Sequence, residues 1–528
     1  MKKVIIWMMF FIYIIPINAQ QGQKKFLTTK QISDLYNLMI SEIEYVDAEA
    51  IVVRNKTKQV NWDEYKAYHQ KQFIKADSYK SLRKKFLDFG KGFTSGHSYF
   101  KFSYPIEKQK KDKIKSSIKI GFTYPEIVFF DLESKRTISK INDKSIKDIF
   151  QKFINYETRA NGIGTCQSSF KYRFEQGSLK VDGHLPNEIT FEDGSKKEVT
   201  YSVNNDAESS YDRYMKQIEI DQYKGWRLIE RGYKTALLIK DNVALVKIKN
   251  FAYNRGDNDL RCTKAVNDST VCNDITKIRN GLKSVENDIS YLIFDVQDNP
   301  GGNENSSFLA EFCPSEFKDL RIQYKKTAIL EDNDLRTALS YGFPGANRWF
   351  DEISENGIYD KTENGSFLPP RGDFCRGGNS CELKYIEPNE TAKRKVKKII
   401  VLVNERTASS ADDFVYRMKE YGNAIIVGQP QSADLTFALI GIVFYIDDQG
   451  NIRKMYTDNN QRNYDVPGIE LFQFSVPYSR TVNKKGEMLQ GNPLKPDLLL
   501  EITKDNFENR EQIVLNKAIE EFVTKENN

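Results

Sequence analysis

The sequence predicts a multidomain α/β protein. Three observations carry this: apolar strand-like runs alternate with helical patterns from about Lys234 onward, a helical period marks much of the first hundred residues, and a polar, strand-rich pattern lies between them. A chain of 528 residues has room for roughly two to four domains.

The elements follow in chain order. Lys2 and Lys3 precede an apolar run from Val4 to Ile15, then Pro16, then Ile17-Asn18-Ala19 with a small residue last. This order of charge, apolar core and small residue predicts a secretory signal over 1–19, cleaved after Ala19, and so an exported protein, periplasmic or extracellular. A membrane anchor needs about 20 apolar residues, and this run is shorter. No later segment is apolar enough to span a bilayer, so no stable membrane insertion is expected. Residues 20–112 read as a helical region, with Ile32, Leu35, Leu38, Met39 and Ile43 on one face. Residues 113–232 read as a β-rich domain, with strands at Ile127–Phe130 and Lys135–Asn142 and a helix at Ser145–Ile154. Residues 233–528 read as the α/β domain. Its strands are Val243–Ile248, Tyr291–Val296, Ile399–Val403 and Ala424–Val427. Ala411, Phe414, Val415, Met418 and Tyr421 mark a helix between the last two, which makes a crossover unit. The segment 325–390, rich in Gly, Asn and Asp, reads as an irregular surface insertion.

Composition excludes some classes of function. A formal charge of +6 spread over this length is too weak to argue for nucleic acid. Six cysteines behind an export signal suggest disulfides. Cys262 and Cys272 lie close together, as do Cys375 and Cys381, which leaves Cys166 and Cys313 to pair over a long distance. A zinc site lacks paired C-x-x-C motifs, and three histidines are too few to complete one. The connectivity stays open.

Two segments carry chemistry. In Phe294-Asp295-Val296-Gln297-Asp298-Asn299-Pro300-Gly301-Gly302 a buried strand runs into a Gly-Gly turn and a helix. Backbone N–H groups bared there would stabilise an anion such as a tetrahedral oxyanion; the bland alternative is a plain turn. In Val401-Leu402-Val403-Asn404-Glu405-Arg406-Thr407-Ala408-Ser409-Ser410-Ala411-Asp412, Ser409 stands at the entrance to the amphipathic helix. It is a nucleophile candidate, and a helix cap is the bland alternative.

Together these segments resemble the tail-specific, or C-terminal-processing, serine peptidases. Asp295 to Gly302 resembles that family's Asp-Leu-Arg-x-Asn-x-Gly-Gly segment, departing at Val296 and Gln297. Thr407-Ala408-Ser409-Ser410-Ala411 resembles its nucleophile run, Tyr421 to Gly428 the strand that follows, and Gly491 to Asp497 its closing Pro-Asp signature. The resemblance implies Ser409 as nucleophile, with Gly301, Gly302 and the N–H of Ser410 as oxyanion hole. In one branch of the family the base is a lysine, whose place here falls at Asp434. A carboxylate cannot act as that neutral amine. The tricorn-core-like branch uses a distant His in a Gly-His segment, which Gly96-His97-Ser98 resembles, so His97 is the expected base. His69 and His184 read as surface residues. The acidic residue that orients the His in that branch has its counterpart at Gln490, with Glu487 or Glu470 as substitutes.

Thr137 to Ile146 resembles the Ile-Asn-Gly turn of PDZ modules, which implies a PDZ-like domain over 113–232; a plain β-rich spacer is the alternative. The resemblance further implies a spiral α/β protease core of the kind shared with crotonases and ClpP-like enzymes. It also implies an exported endopeptidase that cleaves polypeptide substrates without metal or cofactor. Two alternatives stay open. A binding protein for peptides or apolar ligands, its catalysis lapsed on the same fold, is favoured by Gln490 and Asp434. An acyl-CoA enzyme is disfavoured by the export signal.

Overall fold

The computed structural model describes residues 26–525, apart from Thr94, Glu304, Asn333, Phe437 and the segments 105–112, 204–215, 254–261, 263–269, 318–320, 337–344, 373–387, 390–394 and 459–464. The signal-like segment 1–19, and Cys375 and Cys381, lie outside the described residues.

A seven-stranded mixed sheet forms the centre. Its strands lie side by side in chain order: Arg227–Arg231, Thr235–Lys240, Val243–Ile248, Tyr291–Asp295, Lys398–Val403, Ile425–Gly428 and Leu498–Leu499. The first three pair antiparallel, and every later pairing is parallel. Both faces are covered, which is why Tyr291–Asp295 is buried at every position and reads as an unbroken apolar run up to its final Asp. On one face pack the helices Val271–Ser284, Asn305–Phe312 and Ser410–Glu420, through residues such as Ile278, Phe312 and Phe414. On the other packs the C-terminal helix Arg510–Ile519, through Val514, Leu515 and Ala518. The parallel strands Tyr291–Asp295 and Lys398–Val403 end together, so the turns after them, carrying Gly301-Gly302 and Ser409, emerge side by side.

The N-terminal helices Thr29–Val46, Ala50–Thr57, Trp62–Phe73 and Tyr79–Lys91 are capped by Thr28, Asn61 and Ser78 at three of their starts. Their apolar faces pack against a second sheet, in the order Phe100–Phe102, Ile469–Pro477, Leu439–Ile446, Ile452–Asp458. Aromatic rings make this joint: Phe86 stacks on Phe472 at 4.1 Å between centroids, and Phe100 on Phe474 at 5.5 Å. Each such pair adds roughly 0.5–1.5 kcal/mol beyond area burial. His69 belongs to this core. It is 3% exposed and 4.4 Å from the Tyr65 ring, so the expectation of a surface residue is corrected, whereas His184 is exposed. The segment expected to be an irregular insertion also joins this core. It forms the helices Gly345–Glu355 and Ile358–Lys361, and Ile329, Leu330, Trp349, Ile353 and Leu368 are buried with the N-terminal helices.

Residues 113–203, together with Ile502 and Phe507, enclose a further core around Phe129, Phe150, Phe153 and Phe170. Short antiparallel sheets and the helices Ile146–Tyr156 and Ile163–Glu175 surround it. Cys262 and Cys272 form a disulfide. Cys166 and Cys313 do not pair: each is a buried free thiol, Cys166 in the core just described and Cys313 in the core beneath the central sheet.

Candidate active site

Ser409 stands where the strand Lys398–Val403 gives way to the helix Ser410–Glu420, with φ 58° and ψ −123°. A left-handed φ on a serine costs on the order of 1–3 kcal/mol. The surrounding loop holds it there. Ala408 N–H donates to Asn299 O at 3.0 Å, and Ser409 N–H donates to Asp412 Oδ2 at 2.9 Å. Asn404 and Asp298 exchange two hydrogen bonds, and Thr407 Oγ1 donates to Val296 O at 2.9 Å. The Ser409 loop and the Gly-Gly turn are thus tied into one unit.

His97 arrives from the other end of the chain. Tyr99 N–H donates to Ser475 Oγ and Ser475 N–H to Tyr99 O, both at 3.0 Å, where the strand Phe100–Phe102 begins its pairing with Ile469–Pro477. This places His97 Nε2 3.1 Å from Ser409 Oγ. On the far side of the ring, Nδ1 lies 3.4 Å from Asp434 Oδ1. An ionised carboxylate only accepts, so Nδ1 carries the proton and Nε2 offers its lone pair to the hydroxyl.

The charges are set by burial and by neighbours. Burial alone would lower the His97 pKa, but Asp434 and, more weakly, Asp412 outweigh it, and the net direction is upward. Burial would raise Asp434; His97 and the N–H groups of Gln490 and Gly96 outweigh it and hold the carboxyl below its ordinary value. Asp412 is fully buried and is pushed up to about 8, by burial first, although the N–H groups of Asp434, Ala433 and Ser409 favour its ionised form. Glu49, also fully buried, is held well above the usual carboxylate range, by burial first and then by Asp47 and Asp434.

The oxyanion expectation divides. Gly301 lies against Ser409: a Cβ there would stand 2.6 Å from Ser409 Cβ and 2.8 Å from Ser410 N. Its N–H, however, donates to Asn299 Oδ1 at 2.9 Å, which corrects the expectation that this amide faces substrate. Gly302 bridges Phe251 in parallel, with Phe251 N–H donating to Gly301 O and Asn303 N–H to Phe251 O. Backbone alternation therefore turns the N–H and C=O of Gly302 the other way, toward the Ser409 loop, and Ser410 Oγ donates to that carbonyl at 2.6 Å.

Gln490 is not brought to the imidazole as expected. Its Nε2 donates to Asp434 Oδ1 at 3.0 Å and its Oε1 accepts from Leu435 N–H. Glu470 accepts from Ser103 and Glu487 from Asn483, so neither stands in for it. The carboxylate that reaches His97 is Asp434. Its position reads in the sequence as the place of a lysine base, and a carboxylate there beside a Gly-His segment is the signal for an acidic partner of the histidine. Among the described residues, no group of three His, Cys, Asp or Glu could hold a metal ion.

Residues 242–471 match the model of peptidase family S41. Among solved structures, mature CPAF superposes with a TM-score of 0.58 at 13% identity, over 94% of this chain and 97% of that one. Mature CPAF complexed with lactacystin gives 0.56 at 13% identity, over 93% and 97%. Likeness at this identity is one of fold. No curated protein sequence matches the chain. The matched segment spans the Gly-Gly turn, the Ser409 loop and Asp434, so residues 242–471 are similar to the tail-specific, C-terminal-processing peptidases of family S41, and the chain is a serine-type peptidase.

Proposed function

We propose that this chain is an exported endopeptidase that hydrolyses polypeptide substrates through an acyl-enzyme on Ser409, with His97 as general base. The observation that carries this reading is the 3.1 Å contact between Ser409 Oγ and His97 Nε2, made across 312 positions of sequence. Ser409 Oγ attacks the scissile carbonyl as its proton passes to Nε2, and negative charge gathers on the carbonyl oxygen. The N–H groups of Gly302 and Ser410 are the donors for that oxyanion. Collapse breaks the C–N bond, and the leaving amine takes the proton from Nε2. A water molecule, deprotonated by the same nitrogen, then releases the acyl group and restores Ser409.

Export rests on the signal-like segment 1–19. Among the described residues no helix is long and apolar enough to cross a membrane. The β-rich domain read over 113–232, with its PDZ-like turn near Asn142, is proposed to hold substrate polypeptide. The test is labelling of the mature protein with a fluorophosphonate, followed by peptide mapping. Modification at Ser409, abolished by Ser409→Ala and kept by Ser410→Ala, is expected. Modification at Ser410, or none in protein that cleaves an unfolded substrate, defeats the reading.

A further inference from the structure

We propose that Asp434 is the positioning residue for His97, clamped by Gln490, so that the orienting carboxylate has moved to the place where a Ser–Lys enzyme of this family would carry its lysine. The inference rests on the reading of Ser409 and His97 as nucleophile and base.

Geometry carries it. Asp434 Oδ1 lies 3.4 Å from His97 Nδ1, on the side of the ring opposite Ser409. The carboxylate is held from several directions. Gln490 Nε2 donates to Oδ1 at 3.0 Å, the Gly96 N–H donates to the carboxylate, and the Asp434 N–H is anchored on Asp412 Oδ2 at 2.9 Å. Asp412 Oδ2 also receives the Ser409 N–H, so one buried carboxyl sets the nucleophile and the positioning residue relative to each other. Gly96 explains itself in the same way: a Cβ there would stand 2.1 Å from Asp434 Oδ2, so the residue before His97 must leave room for the carboxylate. Gln490, 1% exposed, spans from Leu435 N–H to Asp434 and so fixes the carboxylate that meets the ring.

The other acids around the site are engaged elsewhere. Asp412 takes the N–H groups of Ser409, Ala433 and Asp434, and Glu49 takes the Thr436 hydroxyl. The cations of the surroundings, Arg159 and Arg480, interact with Asp434 and with Glu49 respectively. Asp434 is therefore the group whose charge His97 meets first. Removing that charge takes away the group that raises the His97 pKa, which should therefore fall.

The experiment compares Asp434→Asn with wild type in kcat, KM, pH profile and melting. The proposal expects kcat to fall by about 10²–10⁴-fold with KM little changed, as when a triad carboxylate becomes an amide. It also expects the acid limb of kcat/KM to move to lower pH, which a purely structural role would not produce. Asp434→Asn with wild-type kcat and an unmoved limb overturns it. If that variant fails to fold, Gln490→Met is read in the same way: a partial loss with the limb displaced supports the proposal, and a wild-type profile overturns it. Fluorophosphonate mapping on wild type separates the two readings. Labelling at Ser409 together with an unaffected Asp434→Asn sinks only the role of Asp434, whereas labelling elsewhere sinks the nucleophile as well.

Discussion

The sheet that carries Ser409 is assembled in chain order, whereas the sheet beside His97 is assembled from distant parts of the chain. In the first, neighbouring strands follow one another along the sequence from Arg227 to Leu499. In the second, Phe100–Phe102 pairs with Ile469–Pro477, and Ala48 N–H donates to Pro477 O. Loop closure over such separations costs entropy that grows slowly with length, and long-range packing must offset it. The aromatic joint of Phe86, Phe100, Phe472 and Phe474 does so. The difference teaches that the geometry around Ser409 is a local property of one crossover unit, while the placement of His97 depends on a long-range interface.

The largest effects come from breaking the point where the two sheets meet. Ser409→Ala should lose on the order of 10⁴-fold or more in hydrolysis of an unfolded protein while folding normally. His97→Ala should lose nearly as much and the double variant little more, since the pair acts as a unit. Retained activity in His97→Ala, with a lysine between Gly428 and Asp497 proving essential, would remove the base from the distant sheet altogether.

Gly302→Ala tests the local side alone. Its φ is 154°, and a Cβ would stand 2.1 Å from Phe251 C, so the turn must shift and the proposed oxyanion donor with it. A loss of about 10²–10³-fold in kcat is expected, the scale of one missing oxyanion donor. Wild-type kcat in a folded variant would clear Gly302 of that role.

Phe474→Ala tests the distant side. Phe474 is fully buried between Phe100 and Phe444, and its truncation should cost about 3–5 kcal/mol. Hydrogen exchange should then show protection lost over 26–104 and 439–477 while Tyr291–Asp295 and Lys398–Val403 keep theirs. Uniform loss would mean that the two sheets unfold as one.

The pH dependence is a subtler reading of the same junction. As the proposed base His97 must be neutral, and Asp434 raises its pKa, so kcat/KM should fall as pH drops through a value above the ordinary 6.5. A limb below that value would mean burial wins over Asp434. The sign for stability is the reverse. The contribution of His97 to folding is full at low pH and is lost as pH rises through its raised folded value. The smallest effect concerns the thiols. Burial pushes Cys313 up to about 11 and Cys166 upward too, so neither should alkylate until the protein unfolds. Rapid labelling of either in native protein would contradict its burial.

Where information was local, the sequence by itself determined the outcome. Val243–Ile248, Tyr291–Asp295 and Lys398–Val403 announce themselves because strands covered on both faces must be apolar throughout. The helix after Ser409 announces itself because its period is a property of consecutive residues. The turns around Gly301-Gly302 and Ser409 are set by short stretches of consecutive residues, and their place after the strands is legible for the same reason. What only the tertiary structure decided is which groups face one another. Gln490 and Asp434 are 56 positions apart, and the sequence could not say which of them meets a ring 337 positions before Asp434; the Gly96–Asp434 approach settles it. Whether Gly301 or Gly302 bares its N–H depended on Asn299 folding back and on Phe251 pairing alongside. Cys166 and Cys313 could be paired on paper, yet they lie in different cores. Local sequence encodes period and turn chemistry, whereas a hydrogen bond between distant segments is made by the packing that brings them together.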